Sequence, residues 1–244
     1  DLAEALLAAT PDEGSVFDGW SGDCSGAGSC DLTMDSNMNV TATFSEIAAL
    51  LASYAFDGSN VDGSGNGYDF ILENTEYEGN TLKLNGIYQY TEGGYLAWTP
   101  TISEFDYASF SVSLDFRVDA AREASLYFPI VVGGYSYRWF SVYLTSDDEL
   151  AVSLNNQDFT LESAQVVTLD QWHNLVATFS LADGELRVYL DNSLVIGYVL
   201  PVGFQLDVNV LADRNILFQN RSVGSAFQGW VDNLRVYRGV LPPP

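Results

Sequence analysis

From residue 49 onward the sequence is a succession of short apolar runs separated by glycine, asparagine and aspartate. Turn signals include Gly63-Ser-Gly-Asn-Gly67, Gly93-Gly94 and Ala182-Asp-Gly184. Many short strands at close spacing, with almost no helical periodicity, are typical of sandwiches and jelly rolls. We therefore predict an all-β protein, built as a jelly-roll β-sandwich with a small β-rich partial domain before it. The clearest strand candidates are residues 53–56, 82–84, 110–118, 139–144, 150–154, 175–179, 186–190, 194–199 and 231–237.

The run from Phe110 to Val118 shows the strand pattern best. Apolar residues occupy every second position from Val112 to Val118, and the residues between them include Asp115 and Arg117. Because successive side chains of a strand point to opposite faces, one face of this strand is expected to be buried and the other solvated.

Residues 1–45 have a different pattern and end in an alternating strand that places Val40, Ala42 and Phe44 on one side. A segment of this length cannot bury enough apolar surface by itself, so it is expected to need a neighbour. Cys24 and Cys30 flank a glycine-rich loop that can bring their sulfurs within bonding distance, and such a disulfide fits an extracellular compartment. The alternative is a metal site, which needs four ligands, and neither a histidine nor a second cysteine pair is nearby.

The charge excludes several partners. The chain has 33 acidic and 9 basic residues, a net charge of −24, and a field of that sign repels nucleic acid and anionic membranes. No apolar run approaches the ~18 residues of a spanning helix, so no membrane insertion is expected. The N-terminus lacks a basic segment followed by an apolar one, which suggests a mature or excised piece.

Three separated motifs carry a family resemblance. The motifs are Tyr54-Ala-Phe-Asp-Gly-Ser-Asn-Val-Asp-Gly-Ser-Gly-Asn-Gly67, Gln171-Trp-His-Asn-Leu-Val-Ala-Thr-Phe179 and Gly229-Trp-Val-Asp-Asn-Leu-Arg-Val-Tyr237. Together they are similar to a laminin-G-like domain of the concanavalin A-like lectin and glucanase superfamily, over residues 49–241, with a proline-rich end at 242–244. The fold hosts lectins, adhesion modules, hydrolases and lyases, so it does not by itself define a ligand.

Residues 1–45 contain two further motifs, Thr10-Pro-Asp-Glu-Gly-Ser-Val-Phe-Asp-Gly-Trp-Ser-Gly-Asp-Cys24 and Asn39-Val-Thr-Ala-Thr-Phe-Ser45. Through them this segment resembles the C-terminal half of a divergent internalin B-type repeat, a small β-rich spacer of bacterial surface proteins. The resemblance implies that the opening strands of the repeat are missing.

The laminin-G resemblance implies a structural calcium ion that joins the loop after the first strand to the last strand. Calcium binds six to eight oxygens from carboxylates and carbonyls. We expect Asp57 and Asp232 as side-chain ligands, with Asn60 and Asp62 contributing from the glycine-rich loop. The alternative is that Asp57 and the residues after it only form a turn.

The sequence does not predict an enzyme. His173 opens a strand without a serine or cysteine nucleophile motif, which favours a structural role. Glycoside hydrolases of the superfamily need two carboxylates that flank the scissile bond. Glu76 and Glu78 share a face of an extended segment, but the acid spacing of those hydrolases is absent, and Asp115 and Asp119 are expected to solvate a sheet.

Aromatic residues and amides provide the candidate ligand-binding surface, because sugars stack on aromatic rings while polar groups hold their hydroxyls. Tyr135, Tyr137 and Trp139 lie on one face of an extended segment, and Asn155 and Asn156 are able to supply amide contacts. The alternatives are core packing for the aromatic residues and a hairpin turn for the asparagines. A second aromatic cluster comprises Tyr88, Tyr90, Tyr95 and Trp98.

These observations predict a non-catalytic extracellular binding or adhesion module that recognises a glycan or a surface partner. The alternative function is a structural subunit that joins copies of itself head-to-tail into a filament through its N-terminal segment. A glycoside hydrolase or polysaccharide lyase is a remote alternative.

Overall fold

The chain forms two compact units, Asp1–Ala49 and Leu50–Pro244. In the described ranges no helix is long and apolar enough to cross a membrane. The computed structural model describes residues 3–11, 15–46, 48–73, 75–85, 93–96, 105–121, 128–133, 139–155, 159–207, 216–217 and 227–244.

The N-terminal unit consists of two antiparallel strand pairs, in which β1 pairs with β3 and β2 with β4. Phe17 packs against Trp20 and Phe44, with ring centroids 5.0 and 5.4 Å apart. Cys24 and Cys30 form the predicted disulfide across a Cα–Cα distance of 5.8 Å. The strands are β1 (Ala3–Leu7), β2 (Ser15–Gly22), β3 (Cys30–Met34) and β4 (Val40–Glu46).

The first sheet of the second unit has eight strands, in the order β17-β16-β15-β10-β19-β8-β7, and β5 also pairs with β19. Every pairing along this order is antiparallel. The strands are β5 (Ala49–Tyr54), β7 (Glu76–Glu78), β8 (Thr81–Asn85), β10 (Ser109–Val118), β15 (Trp172–Ser180), β16 (Glu185–Leu190), β17 (Ser193–Val199) and β19 (Gln228–Arg238).

The second sheet has seven strands, in the order β14-β13-β12-β11-β18-β9-β6. Residues of the two sheets share one hydrophobic core, so the predicted all-β sandwich is confirmed. The strands are β6 (Ile71–Glu73), β9 (Gly93–Leu96), β11 (Phe128–Gly133), β12 (Phe140–Leu144), β13 (Glu149–Leu154), β14 (Phe159–Val166) and β18 (Ile216–Leu217).

Alternation along β10 determines which side chains enter the core. Phe110 stacks on Phe179 of β15 and packs edge-on against Phe140 of β12, so it joins the two sheets. Each large apolar side chain buried in this way contributes about 1.5–3 kcal/mol of transfer free energy. Asp115 and Arg117 face away from the core and are partly exposed, as the alternation predicts.

The outer face of β10 is less solvated than predicted, because Ser111 and Ser113 are buried. The Ser111 hydroxyl donates to the carbonyl of Gly239 and accepts from the backbone N–H of Leu241. The segment after β19 is therefore hydrogen-bonded to the outer face of the sheet at this end of β10.

Gly229 lies where β19 approaches β10 too closely for any side chain. Its φ is +152°, and a Cβ placed there would lie 2.1 Å from the carbonyl oxygen of Arg117. Because the obstacle is backbone of the central strand, it cannot move without disturbing the sheet.

We expect Gly229→Ala to lower the free energy of unfolding by about 3 kcal/mol or more, since it combines backbone strain with a clash in the core sheet. The control is Gly203→Ala, at a φ of +81° with no atom within 4 Å of the new Cβ, which should cost about 1 kcal/mol. Urea denaturation of both variants measures the difference, and equal losses would show that the contact with Arg117 is not decisive.

Candidate functional site

Asp62 organises the loop between β5 and β6. Its carboxylate is 7% exposed and accepts from the backbone N–H groups of Ser53 and Ser64 at 2.9 Å and of Tyr68 at 3.1 Å. The Ser64 hydroxyl donates a further bond at 2.7 Å. Four donors occupy the acceptor positions of one carboxylate, so Asp62 has no oxygen lone pair directed at another ligand.

Asn60 belongs to the same loop. Its side-chain amide donates to the carbonyl of Phe70, and its own carbonyl accepts from the Phe70 backbone N–H at 2.8 Å. The carboxylate of Asp62 and the amide nitrogen of Asn60 are thus engaged within the loop, and their role as metal ligands stays a prediction. A glycine-rich loop leaves many backbone groups to be paired, and these two side chains pair with groups of the loop itself.

Asp57 and Asp232 do lie close together, and Asp115 of β10 joins them. Burial raises the pKa of Asp232, and the negative charges of Asp57 and Asp115 raise it further, against a hydrogen bond from the Asn233 backbone. Asn233 has a φ of 48°, at an irregularity in the β10–β19 pairing between Ser113 and Asp115. This local distortion places three carboxylates near one another at the junction of β5, β10 and β19.

Asp115 is held by two amides. The side chains of Asn174 and Asn233 donate to its two oxygens at 2.8 and 2.9 Å. Within the described residues, no three histidine, cysteine, aspartate or glutamate side chains converge closely enough to hold a metal ion. The arrangement is thus a cluster of repelling carboxylates that is able to attract a cation, with Asp57 and Asp232 as its least engaged members.

The residues considered for catalysis have structural partners. Nδ1 of His173 lies 2.7 Å from Asp191, and Nε2 lies 3.0 Å from the carbonyl of Thr168. Lys83 bridges Glu76 and Glu78 at 3.6 and 2.6 Å. The hydrogen bond from Lys83 lowers the pKa of Glu78, whereas a general acid at neutral pH needs a raised pKa.

The predicted sugar-binding aromatic segment is only partly within the described residues. Trp139 is 6% exposed and packs in the core against Phe105, Tyr107 and Phe110. It differs from the prediction because the packing of aromatic rings between the sheets buries its indole. Tyr135, Tyr137 and the aromatic cluster's Tyr88, Tyr90 and Trp98 lie outside the described residues, as does the side chain of Tyr95.

Asn155 also has a structural role, which departs from the predicted ligand contact. Its amide donates to the carbonyl of Gln205 at 3.0 Å and its side-chain oxygen accepts from the backbone of Asp207 at 2.8 Å. Both ends of the amide thereby bind a loop 50 residues away. Asn156 lies outside the described residues.

The outer face of the eight-stranded sheet carries a feature that sequence reasoning missed. Trp172, Arg117, Trp230 and Lys83 lie opposite one another on the successive strands β15, β10, β19 and β8. We call these residues the Trp–Arg row. The Arg117 guanidinium lies 3.8 Å from the ring centroid of Trp230 and 5.7 Å from that of Trp172. Lys83 lies 5.6 Å from the Trp230 ring, and Trp172 is 44% exposed.

A family model described as the concanavalin A-like lectin/glucanases superfamily matches residues 90–244, and one described as the divergent InlB B-repeat domain matches residues 3–48. Both resemblances inferred from the sequence are thereby confirmed. No curated protein matches the chain.

Three solved structures illustrate the similarity of fold. One concerns botulinum neurotoxin type C, whose cell entry depends on two ganglioside molecules, with a TM-score of 0.62, 14% identity and coverage of 80% of this chain and 49% of that chain. A Trypanosoma rangeli sialidase bound to the inhibitor DANA has a TM-score of 0.62 and 15% identity, and the match covers 80% of this chain and 31% of the sialidase chain. Domain 4 of AbnA, an extracellular arabinanase of Geobacillus stearothermophilus, in complex with arabinotriose, has a TM-score of 0.56 and 17% identity. This match covers 80% of this chain and 95% of the arabinanase domain. The chain thus spans about half of the neurotoxin chain and less of the sialidase. At these identities the likeness establishes the fold alone.

Proposed function

Because the chain belongs to the concanavalin A-like lectin and glucanase superfamily, we propose that its second unit is a non-catalytic glycan-binding module of a secreted or cell-surface protein. The observation that carries the proposal is the likeness to domain 4 of the arabinanase, a separate domain of similar extent whose structure contains arabinotriose. The neurotoxin binding domains, one of them in complex with a sialylated sugar, support it further. The Cys24–Cys30 disulfide supports an oxidising, extracellular location.

The surroundings of the candidate acids support a binding rather than a hydrolytic role. A glycosidase places two carboxylates on either side of the scissile bond, one of them with a raised pKa. Among the described residues, Glu76 and Glu78 share one lysine, and His173 has an acceptor at each ring nitrogen. Asp232 has a raised pKa, but its neighbours are two more aspartates of the same cluster.

Calcium is proposed as a structural ion at this acidic cluster. Asp57 and Asp232 are the residues that would hold it, since their carboxylates repel each other and Asp115 is already bound by two amides. A hard divalent cation prefers such carboxylate oxygens. When bound, it would neutralise the repulsion and join the loop after β5 to the last strand.

Self-assembly is a second candidate function, favoured by the surface of the N-terminal unit. Leu6 is 69% exposed, and Val16, Met34 and Phe44 are also exposed. In the described part of this unit each strand has a single partner, so each strand pair leaves unpaired edges. Exposed apolar side chains beside open edges suit addition of a strand from another copy.

The glycan proposal predicts saturable retardation of the full chain in native gels that contain a polysaccharide. The panel should include an arabinan, a xylan, a β-glucan and a sialylated glycan. We expect retardation by at least one of them and its reversal by excess free oligosaccharide. Serum albumin, which is also acidic, controls for gel sieving. Unchanged mobility in every gel would refute a glycan-binding function.

The calcium proposal predicts that Asp232→Asn changes the stability of the folded protein in opposite directions with and without the ion. An acid whose pKa is raised in the folded state stabilises the folded protein fully when the pH is below the unfolded pKa of about 3.9. This contribution to the free energy of unfolding is lost as the pH rises through the raised folded pKa. In chelator, the wild type should therefore lose more stability between about pH 4 and about pH 7 than Asp232→Asn does.

With calcium at about 100 times its Kd, the wild type should gain about 2.7 kcal/mol and Asp232→Asn much less. Thermal unfolding monitored by circular dichroism measures both effects. Asp147→Asn, which removes one exposed charge elsewhere, is the control. A wild-type melting temperature that calcium leaves unchanged would show that the cluster is not a calcium site.

Self-assembly predicts large species of the full chain in sedimentation velocity runs. Leu6→Glu should dissociate them, because it places a charge on the exposed apolar surface of β1. Val199→Glu, at an exposed position of the second unit, should leave them intact. A wild type that sediments as a monomer at every concentration would exclude this function.

A further inference from the structure

The Trp–Arg row lies on the surface of the sheet that faces away from the core. On β10, Phe116 and Val118 flank Arg117 and are buried, and on β8 and β19 the same is true of Leu82 and Val231. Side chains that are directly opposite on neighbouring strands project from the same face. At about 4.8 Å between strands, the four members of the row extend over about 14 Å, which is the scale of an oligosaccharide rather than of a single sugar.

Arg117 has no ion-pair partner among the described residues, although the protein is rich in carboxylates. In a chain with 33 acidic residues, no carboxylate of the described residues lies within ion-pair distance of its guanidinium. Its Nε is buried without a hydrogen-bond partner in the described part of the chain. Two indole faces hold the group instead, through cation–π contacts. No ion pair with a described residue consumes its N–H donors, and because Arg117 is partly exposed, those of its terminal nitrogens that reach the surface are able to bind the oxygen atoms of a ligand.

The acceptors of the row lie at its other end. Glu76 and Glu78, next to Lys83, have side chains that are 59% and 53% exposed. Donors, acceptors and an exposed indole face thus lie along one line, which matches the alternation of hydroxyl groups and apolar C–H faces in a sugar chain.

Charge determines which class of glycan fits. Along the row, the positive charges of Arg117 and Lys83 are balanced by those of Glu76 and Glu78, while the whole chain carries −24. A polyanionic glycan gains nothing locally from this balance and is repelled by the protein as a whole. An uncharged glycan pays no such penalty.

We propose that Trp172, Arg117 and Trp230, with Lys83 and its two glutamates, form the binding site for an uncharged oligosaccharide. Trp172 provides the exposed stacking surface and Arg117 provides donors to hydroxyl and ring oxygens. This inference rests on the proposed glycan-binding function and assigns it to the outer face of the eight-stranded sheet. It also replaces Trp139, which is buried, as the stacking residue.

The test compares Trp172→Ala, Trp172→Phe and Val166→Ala in affinity gels that contain arabinan, xylan or β-glucan, with alginate as the anionic polysaccharide. Trp172→Ala should weaken binding to the retained neutral polysaccharide about tenfold or more, as truncation of a central aromatic contact does. Trp172→Phe, which keeps a ring, should stay within about threefold of the wild type. Val166→Ala, at an exposed position of the other sheet, should have no effect.

The readouts separate binding from stability. Each variant's melting temperature is measured, and Trp172→Ala should remain folded, because its side chain is half exposed. A purely structural role for Trp172 predicts lower stability with unchanged affinity of the folded fraction, and that result overturns the inference. Trp172→Phe provides the same comparison if the alanine variant does not fold.

Different results would contradict the assignment of this site and the proposed glycan-binding function. If the wild type binds a neutral polysaccharide and Trp172→Ala binds equally well, the glycan site lies elsewhere and only this inference is wrong. If alginate alone binds, and its binding weakens with added salt, the ligand is anionic and the inference is also wrong. Absence of retardation in every gel overturns both the site and the function.

Discussion

Strands β10 and β19 lie side by side in the eight-stranded sheet, and their antiparallel pairing positions both surface features of the second unit. Phe116 opposite Val231 contributes to the core, and Arg117 opposite Trp230 therefore faces outward. The irregularity near Asp115 and the left-handed conformation of Asn233 change the register of β19 by one position. Without that change, Arg235 and Asp232 could not both face outward from one strand, since they are three residues apart.

The few cations of this acidic chain are concentrated on one sheet in the described ranges. The basic residues in the described ranges, Lys83, Arg117, Arg187, Arg235 and Arg238, all belong to the eight-stranded sheet. No lysine or arginine precedes Lys83 in the sequence, so the N-terminal unit carries only negative charge. Along the Trp–Arg row the two cations offset Glu76 and Glu78, while Asp115 and Asp232 lie nearby on the same face, so this surface repels anions and favours uncharged partners.

Local patterns were sufficient to predict the fold but not the site. The alternation of Val112, Leu114 and Phe116 identifies a strand and its buried face, because alternation is a property of neighbouring residues. The Trp–Arg row joins residues 83, 117, 172 and 230, and only the pairing register of four strands brings them together. The burial of Trp139 and the loop contacts of Asn155 also depend on distant partners. Asp57 and Asp232 are near each other because the loop after β5 reaches the last strand, a relation that the family resemblance implied and their spacing could not.

The acidic cluster and the Trp–Arg row occupy adjacent positions on the same face, since Asp232 and Trp230 are two residues apart on β19 and Asp115 and Arg117 are two apart on β10. Two residues of a strand span about 6.8 Å, which is shorter than the screening length of about 8 Å at physiological salt. A cation at the cluster therefore changes the potential at Arg117. The affinity for an anionic ligand would then depend strongly on that cation, whereas an uncharged sugar carries no net charge to respond to it. If the ligand is a neutral sugar, as proposed, its binding would therefore be separate from cation binding, and a structural ion at the cluster would lie beside the proposed site without controlling it.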